Sequence, residues 1–200
     1  MAADNSEELF TDYLSEHGFS FERSYRVNGG DVDFKIVSSG HTVLCEVKEV
    51  RDPHKDPGGR LEAEVHIRSD IRKLRAKFGK QRPDTPVVLV TMNFSSRFFT
   101  GMTVARALLG EIGFEFDRDT GETTSPIHHL PKGKATLTQT QNRSISGVLV
   151  FDRANRRHCL FLSPFADHPV PPDFFPGVLV IPLDRSLEDN ALISLARYQF

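Results

Sequence analysis

The stretch "GDVDFKIVSSGHTVLCEVKEV", residues 30–50, places Asp31, Asp33, Glu46 and Lys48 in a segment patterned for a β-hairpin. Side chains alternate faces along a strand, so Asp31, Asp33 and Lys35 share one face, with Val32, Phe34 and Ile36 on the other. Glu46 and Lys48 share a face of the next strand. If the two charged faces coincide, Asp33, Glu46 and Lys48 converge, because cross-strand neighbours lie about 5 Å apart. Two adjacent carboxylates repel unless something positive stands between them, and a hard oxygen-seeking cation such as Mg²⁺ suits that position. An ammonium two residues along can orient a metal-bound water or stabilise charge on a phosphate. Metal and lysine together fit attack of water on phosphorus, where catalysis is mostly positioning and charge neutralisation.

The elements that must hold these groups are legible on both sides of the hairpin. Ser6 is a candidate cap for a helix carrying Leu9, Phe10, Tyr13 and Leu14 at helical spacing, with Gly18 as its stop. Residues 19–27 alternate as a strand, Asn28-Gly29-Gly30 reads as a turn, and 31–37 and 42–50 complete a three-strand meander. Residues 51–60, "RDPHKDPGGR", form a polar loop. From Leu61 a helix carries Ile67, Ile71, Leu74 and Phe78 on one stripe. "TPVVLVTMN", residues 85–93, is apolar throughout, as a strand covered on both faces is. A second covering helix is predicted over 101–113, and a short strand over "FEFDRD".

That order, with helices packed on a mixed sheet, defines an α/β class. Residues 1–116 form its core, and 117–200 extend the same domain with short strands and Pro-rich loops. "ISGVLVF", "HCLFLS" and "GVLVIPL" are the strands of this extension. They either lengthen the main sheet or build a small subdomain, and a last helix is predicted near 186–198.

The residues resemble the PD-(D/E)xK nucleases, the restriction-endonuclease-like fold, over residues 5 to about 116. The family core is a helix, a three-strand meander, a helix and a strand (α-β-β-β-α-β). Its site is an acid opening the second strand, here Asp33 in "DVDFKI", then Glu-x-Lys on the third, here Glu46-Val47-Lys48. Glu-x-Lys alone arises roughly once by chance in a chain of this length, so the surrounding order of elements carries the resemblance. The stretch before Asp33 also looks like the start of small stand-alone members, including those that resolve branched DNA. Val32 stands where many members have proline.

The resemblance implies an Mg²⁺-dependent endonuclease, with Mn²⁺ as a substitute, acting on DNA rather than RNA. Asp33, Glu46 and the Val47 carbonyl would hold the metal, and Lys48 would position the nucleophile. Glu7, on the flank of the opening helix, would assist through a second ion or a water. Asp31 shares the parity of Asp33 and competes with it as the ligand. The alternative is a non-catalytic protein of the same fold that binds nucleic acid or a protein partner.

Residues 68–82 hold seven basic residues against one acid. Arg68, Arg72 and Arg75 form one helical row beside the apolar stripe, and Lys73, Lys77 and Lys80 another. The first row is the candidate nucleic-acid contact; the competing reading is an ordinary solvated face. With a net charge of -2, any such contact must come from a local patch. "RANRR", 153–157, reads as a turn.

His128, His129, His158, Cys159 and His168 match no zinc spacing, and His54 belongs to the polar loop. Two cysteines make no disulfide framework, and Cys45 reads as a buried small residue. No tract is apolar enough to cross a bilayer, and Met1-Ala2-Ala3-Asp4 leads into an acidic stretch rather than a secretory leader. A cytoplasmic protein is expected on that ground. Double-strand cutting by so small a protein would call for a homodimer.

Overall fold

The computed structural model describes residues 6–27, 30–51, 63–79, 81–94, 101–110, 112–113, 117–122, 128–129, 135–152 and 157–183. The opening helix, α1 (Ser6–Glu16), sets Glu7 and Glu8 in its first turn, where they suit the positive end of the helix dipole. It ends as foreseen at Gly18, whose φ of 68° lets the Gly18 amide reach Ser15 O and the Phe19 amide reach Leu14 O.

The meander follows as β1 (Ser20–Val27), β2 (Gly30–Ser38) and β3 (His41–Val50), paired antiparallel in sequence. Ser39 and Gly40, with φ of 49° and 79°, form the two-residue hairpin between β2 and β3, a turn that requires positive φ at both positions. Next come α2 (Ala63–Lys77) and β4 (Val87–Asn93), and β4 lies parallel beside β3. All seven residues of β4 are buried, which is what its unbroken apolar run predicts.

The helix expected over 101–113 is shorter, α3 (Gly101–Leu109). Gly110, at φ 96°, turns the chain, and the Thr136 and Leu137 amides bind Leu108 O. The two-residue strands β5 (Ile112–Gly113) and β6 (His128–His129) form a small separate pair. Of "FEFDRD", residues 114–116 lie outside the described residues, and Asp117 opens a turn. Its Oδ1 accepts the amides of Asp119 and Thr120, and Gly121 N–H binds Asp117 O.

The late strands β7 (Gly147–Asp152), β8 (Arg157–Leu162) and β9 (Leu179–Pro182) lengthen the main sheet. It has seven strands in the order β1-β2-β3-β4-β7-β8-β9, mixed in direction, with β7 parallel to β4. Two successive parallel crossovers running the same way, with the usual right-handed connection, put α2 and α3 on one face. There Ile67, Ile71, Leu74, Val104 and Leu108 pack on Leu44, Leu89 and Val150. On the other face α1 contributes Phe10, Tyr13 and Leu14 to a core with Phe34, Cys45, Val90 and Phe151. Phe174 and Phe175 of the Pro-rich segment close that layer, and Tyr13 Oη donates to Pro176 O. Cys45 and Cys159 are buried free thiols. Among the described residues no helix is long and apolar enough to cross a membrane.

Candidate active site

The site forms where β2 leaves β3. Their pairing runs from Ser38 opposite His41 to Phe34 opposite Cys45 and goes no further. At the next rung the Asp33 side chain replaces the backbone: its Oδ2 accepts the Val47 N–H at 2.7 Å. On the other side of β2 the register would set Ser24 opposite Asp33, but Ser24 has a φ of 51° and drops out of the pairing. The strand bends at Asp33, and its alternation breaks there. Phe34 and Ile36 lie in the α1-side core, whereas Val32 is buried in the α2-side core. The expectation that Val32, Phe34 and Ile36 share a face is therefore corrected.

This break separates the two aspartates. Asp33 joins Glu46 and Lys48, while exposed Asp31 offers its backbone carbonyl, which accepts a hydrogen bond from Lys77 Nζ at 3.0 Å. Lys48 Nζ lies 2.6 Å from Glu46 Oε1 and 3.8 Å from Asp33 Oδ2, so one ammonium bridges two carboxylates. Lys77, on the last turn of α2, reaches the same Glu46 Oε1 at 2.5 Å. Glu46 is fully buried, and its Oε2 has no hydrogen-bond partner. Thr91, opposite Lys48 across the β3–β4 pair, adds a buried hydroxyl that is also without a partner.

Burial is the strongest influence on Asp33 and raises its pKa; the Val47 amide works against this, Glu46 adds to it, and Lys48 and Lys77 oppose it. Burial works to lower Lys48, but its hydrogen bond to Glu46 and the charges of Glu46, Asp33 and Asp70 outweigh it. The Lys48 ammonium is held above the ordinary lysine value.

Glu7 is placed elsewhere. Its carboxylate pairs with Arg23 at 2.8 Å, on the sheet face covered by α1, whereas Lys77 reaches Glu46 from α2 on the opposite face. Arg23 in turn lies over the Phe34 ring. The structure does not bring Glu7 together with Asp33 and Glu46.

The basic row also divides. Arg68 is only 6% exposed; its Nη2 donates to Arg106 O and faces Glu64, tying α2 to α3. Arg68 is thus a packing residue rather than a phosphate contact, a correction to the row read from the sequence. Arg72 and Arg75 are exposed, and Arg75 also donates to Gly79 O at the helix end. Lys80, His54 and residues 153–156 of "RANRR" lie outside the described residues, as does the expected helix near 186–198.

Lys77 is the residue whose role the sequence hid. A helical wheel assigns it to the solvated row, but Gly30 lets β2 approach the end of α2. A Cβ at Gly30 would stand 2.4 Å from Lys77 O. A glycine opening a charged strand was the available signal for this close approach.

The donor set suits a hard cation. Asp33 and Glu46 already share one ammonium, and Glu46 Oε2 is a buried lone pair that lacks a donor. Val47, whose carbonyl is the third expected ligand, is fixed between Val90 across the β3–β4 pair and the Asp33 carboxylate at its amide. Among the described residues no three His, Cys, Asp or Glu side chains gather as a cage. Mg²⁺ commonly takes one or two carboxylates and completes its shell with water, so such a cage is not what it requires. A cavity of about 280 Å³ opens under α1, lined by Tyr13, Asn93, Phe151 and His158 among others. None of the site's carboxylates or lysines lines it. No family model matches the chain, and neither does a curated protein nor a solved structure.

Proposed function

We propose that the chain is a metal-dependent nuclease of restriction-endonuclease-like fold that hydrolyses phosphodiester bonds of DNA. The observation that carries this reading is the convergence of Asp33, Glu46 and Lys48 at the bend where β2 parts from β3. The order α1, β1-β2-β3, α2, β4 supports it, being the order of the family core that the sequence resembles.

Asp33, Glu46 and the Val47 carbonyl would hold Mg²⁺ or Mn²⁺, which when bound acidifies a water and neutralises phosphate charge. Asp33 is oriented for this by the Val47 amide, and Glu46 by the ammoniums on its Oε1. Lys48, held beside Glu46 and Asp33, would orient the nucleophile. Arg72 and Arg75, exposed on α2, would meet a phosphate backbone. Cutting both strands of a duplex would engage two copies of the chain.

The test is to incubate the protein with supercoiled, linear, branched and single-stranded DNA, and with RNA, in Mg²⁺ or Mn²⁺ and then with chelator. DNA cleavage is expected, stopped by chelator and reduced roughly a hundredfold or more in Lys48→Ala and Glu46→Gln. Cleavage of no substrate, or equal cleavage by those variants, defeats the proposal. Salt-sensitive binding without cleavage, lost in the double variant Arg72→Ala, Arg75→Ala, would favour a non-catalytic binding protein instead.

A further inference from the structure

Glu46 gathers two ammoniums on one of its oxygens. It is fully buried, and a buried carboxylate must be compensated. Two carboxylates share two ammoniums here: Lys48 lies between Asp33 and Glu46, and Lys48 and Lys77 both crowd onto Oε1 and leave Oε2 with none.

The two lysines differ in their freedom to leave. Lys48 is on β3, two residues from Glu46, and is held by Asp33 as well. Lys77 comes from the last turn of a different element, and its other contact is the Asp31 backbone carbonyl, outside the Asp33–Glu46 pair. A dication bound at Glu46 would repel both ammoniums, and Lys77 can keep the Asp31 carbonyl as it moves off Oε1.

We propose that Lys77 is a displaceable counter-ion of Glu46, whose ammonium on Oε1 opposes the loading of a divalent cation at that carboxylate. The assignment rests on the metal-site reading of Asp33 and Glu46. Lys77 and the cation compete for one carboxylate, and each weakens the other's hold on it by the same factor. Lys77 is in this sense a positioning residue that sets how readily the site loads, and its Asp31 carbonyl contact holds the ammonium nearby after exchange.

The experiment measures Mn²⁺ binding to the full chain by calorimetry and electron paramagnetic resonance, without substrate. Lys77→Met keeps the stem and removes the charge, and Lys77→Gln serves as a second variant should the first fail to fold. Either is expected to bind Mn²⁺ about fivefold or more tightly than the parent, the lower end of ordinary coupling between two ligands. Lys77→Arg should bind no more tightly than the parent. In parallel, reductive methylation of Lys77, read by mass spectrometry, should rise when Mg²⁺ is added. Parent-like or weaker Mn²⁺ affinity in both neutral variants overturns the exchange while leaving the nuclease proposal standing, as does unchanged Lys77 labelling while the metal binds. Failure of every protein to bind Mn²⁺ overturns both.

Discussion

Asp33 stands under opposed influences, and their balance makes it testable by stability alone. Its carboxylate takes the Val47 N–H where a ladder bond would otherwise be, yet burial and the nearby Glu46 raise its pKa. The folded protein therefore holds the Asp33 proton more tightly than the unfolded chain does. This contribution favours folding below the ordinary carboxylate range and is lost as pH rises through the raised value, so at neutral pH the ionised Asp33 is a cost. Asp33→Asn keeps an oxygen for Val47 and carries no charge. In chelator it should melt at a higher temperature than the parent at pH 7, with the difference vanishing as the pH falls into the carboxylate range. Circular dichroism melts across that range check this, and a less stable variant at pH 7 would refute it. The choice between Asp31 and Asp33 was not legible in the alternation, because alternation assumes an unbroken strand. The break depends on Ser24 leaving the register, and nothing local to Ser24 announces its positive φ.

At the scale of elements, the junction of β2 with α2 places the second lysine. Gly30 abuts the Lys77 carbonyl so closely that any side chain must push the strand or the helix end away. Gly30→Ala should destabilise the protein by about 1–3 kcal/mol, the usual cost of forcing extra atoms into a packed contact. Urea unfolding measures it, and a change within about 0.5 kcal/mol, as for an ordinary surface substitution, would show that the junction yields freely. The helices themselves were readable: Ile67, Ile71, Leu74 and Phe78 recur at helical offsets and are all buried. The burial of Arg68 was not, since a stripe shows the arc of α2 that meets the sheet but not the further arc that α3 covers. Arg68 lies beside the stripe, and its guanidinium is taken up by Arg106 O and Glu64, partners that only the packing of the two helices supplies.

For the whole molecule, the decisive contact is β4 against β7, which joins the meander half of the chain to its late strands. The sequence shows both strands as apolar runs but leaves their partnership open, because parallel pairing across more than fifty residues has no local signature. All of β4 and all of β7 are buried, so each covers the other's edge, and Phe174, Phe175 and Pro176 close the layer over α1. A chain ending at residue 116 would expose the β4 edge as an apolar template for association, and would uncover Phe10 and Tyr13. It should aggregate, or remain without a cooperative transition. The full chain, by contrast, should unfold in one step, with far-ultraviolet and tyrosine near-ultraviolet dichroism changing together in urea. A soluble, monomeric 1–116 fragment with its own cooperative unfolding would show instead that the first half folds alone. The late strands would then be an addition to the sheet and not a condition for the bend that gathers Asp33, Glu46 and Lys48.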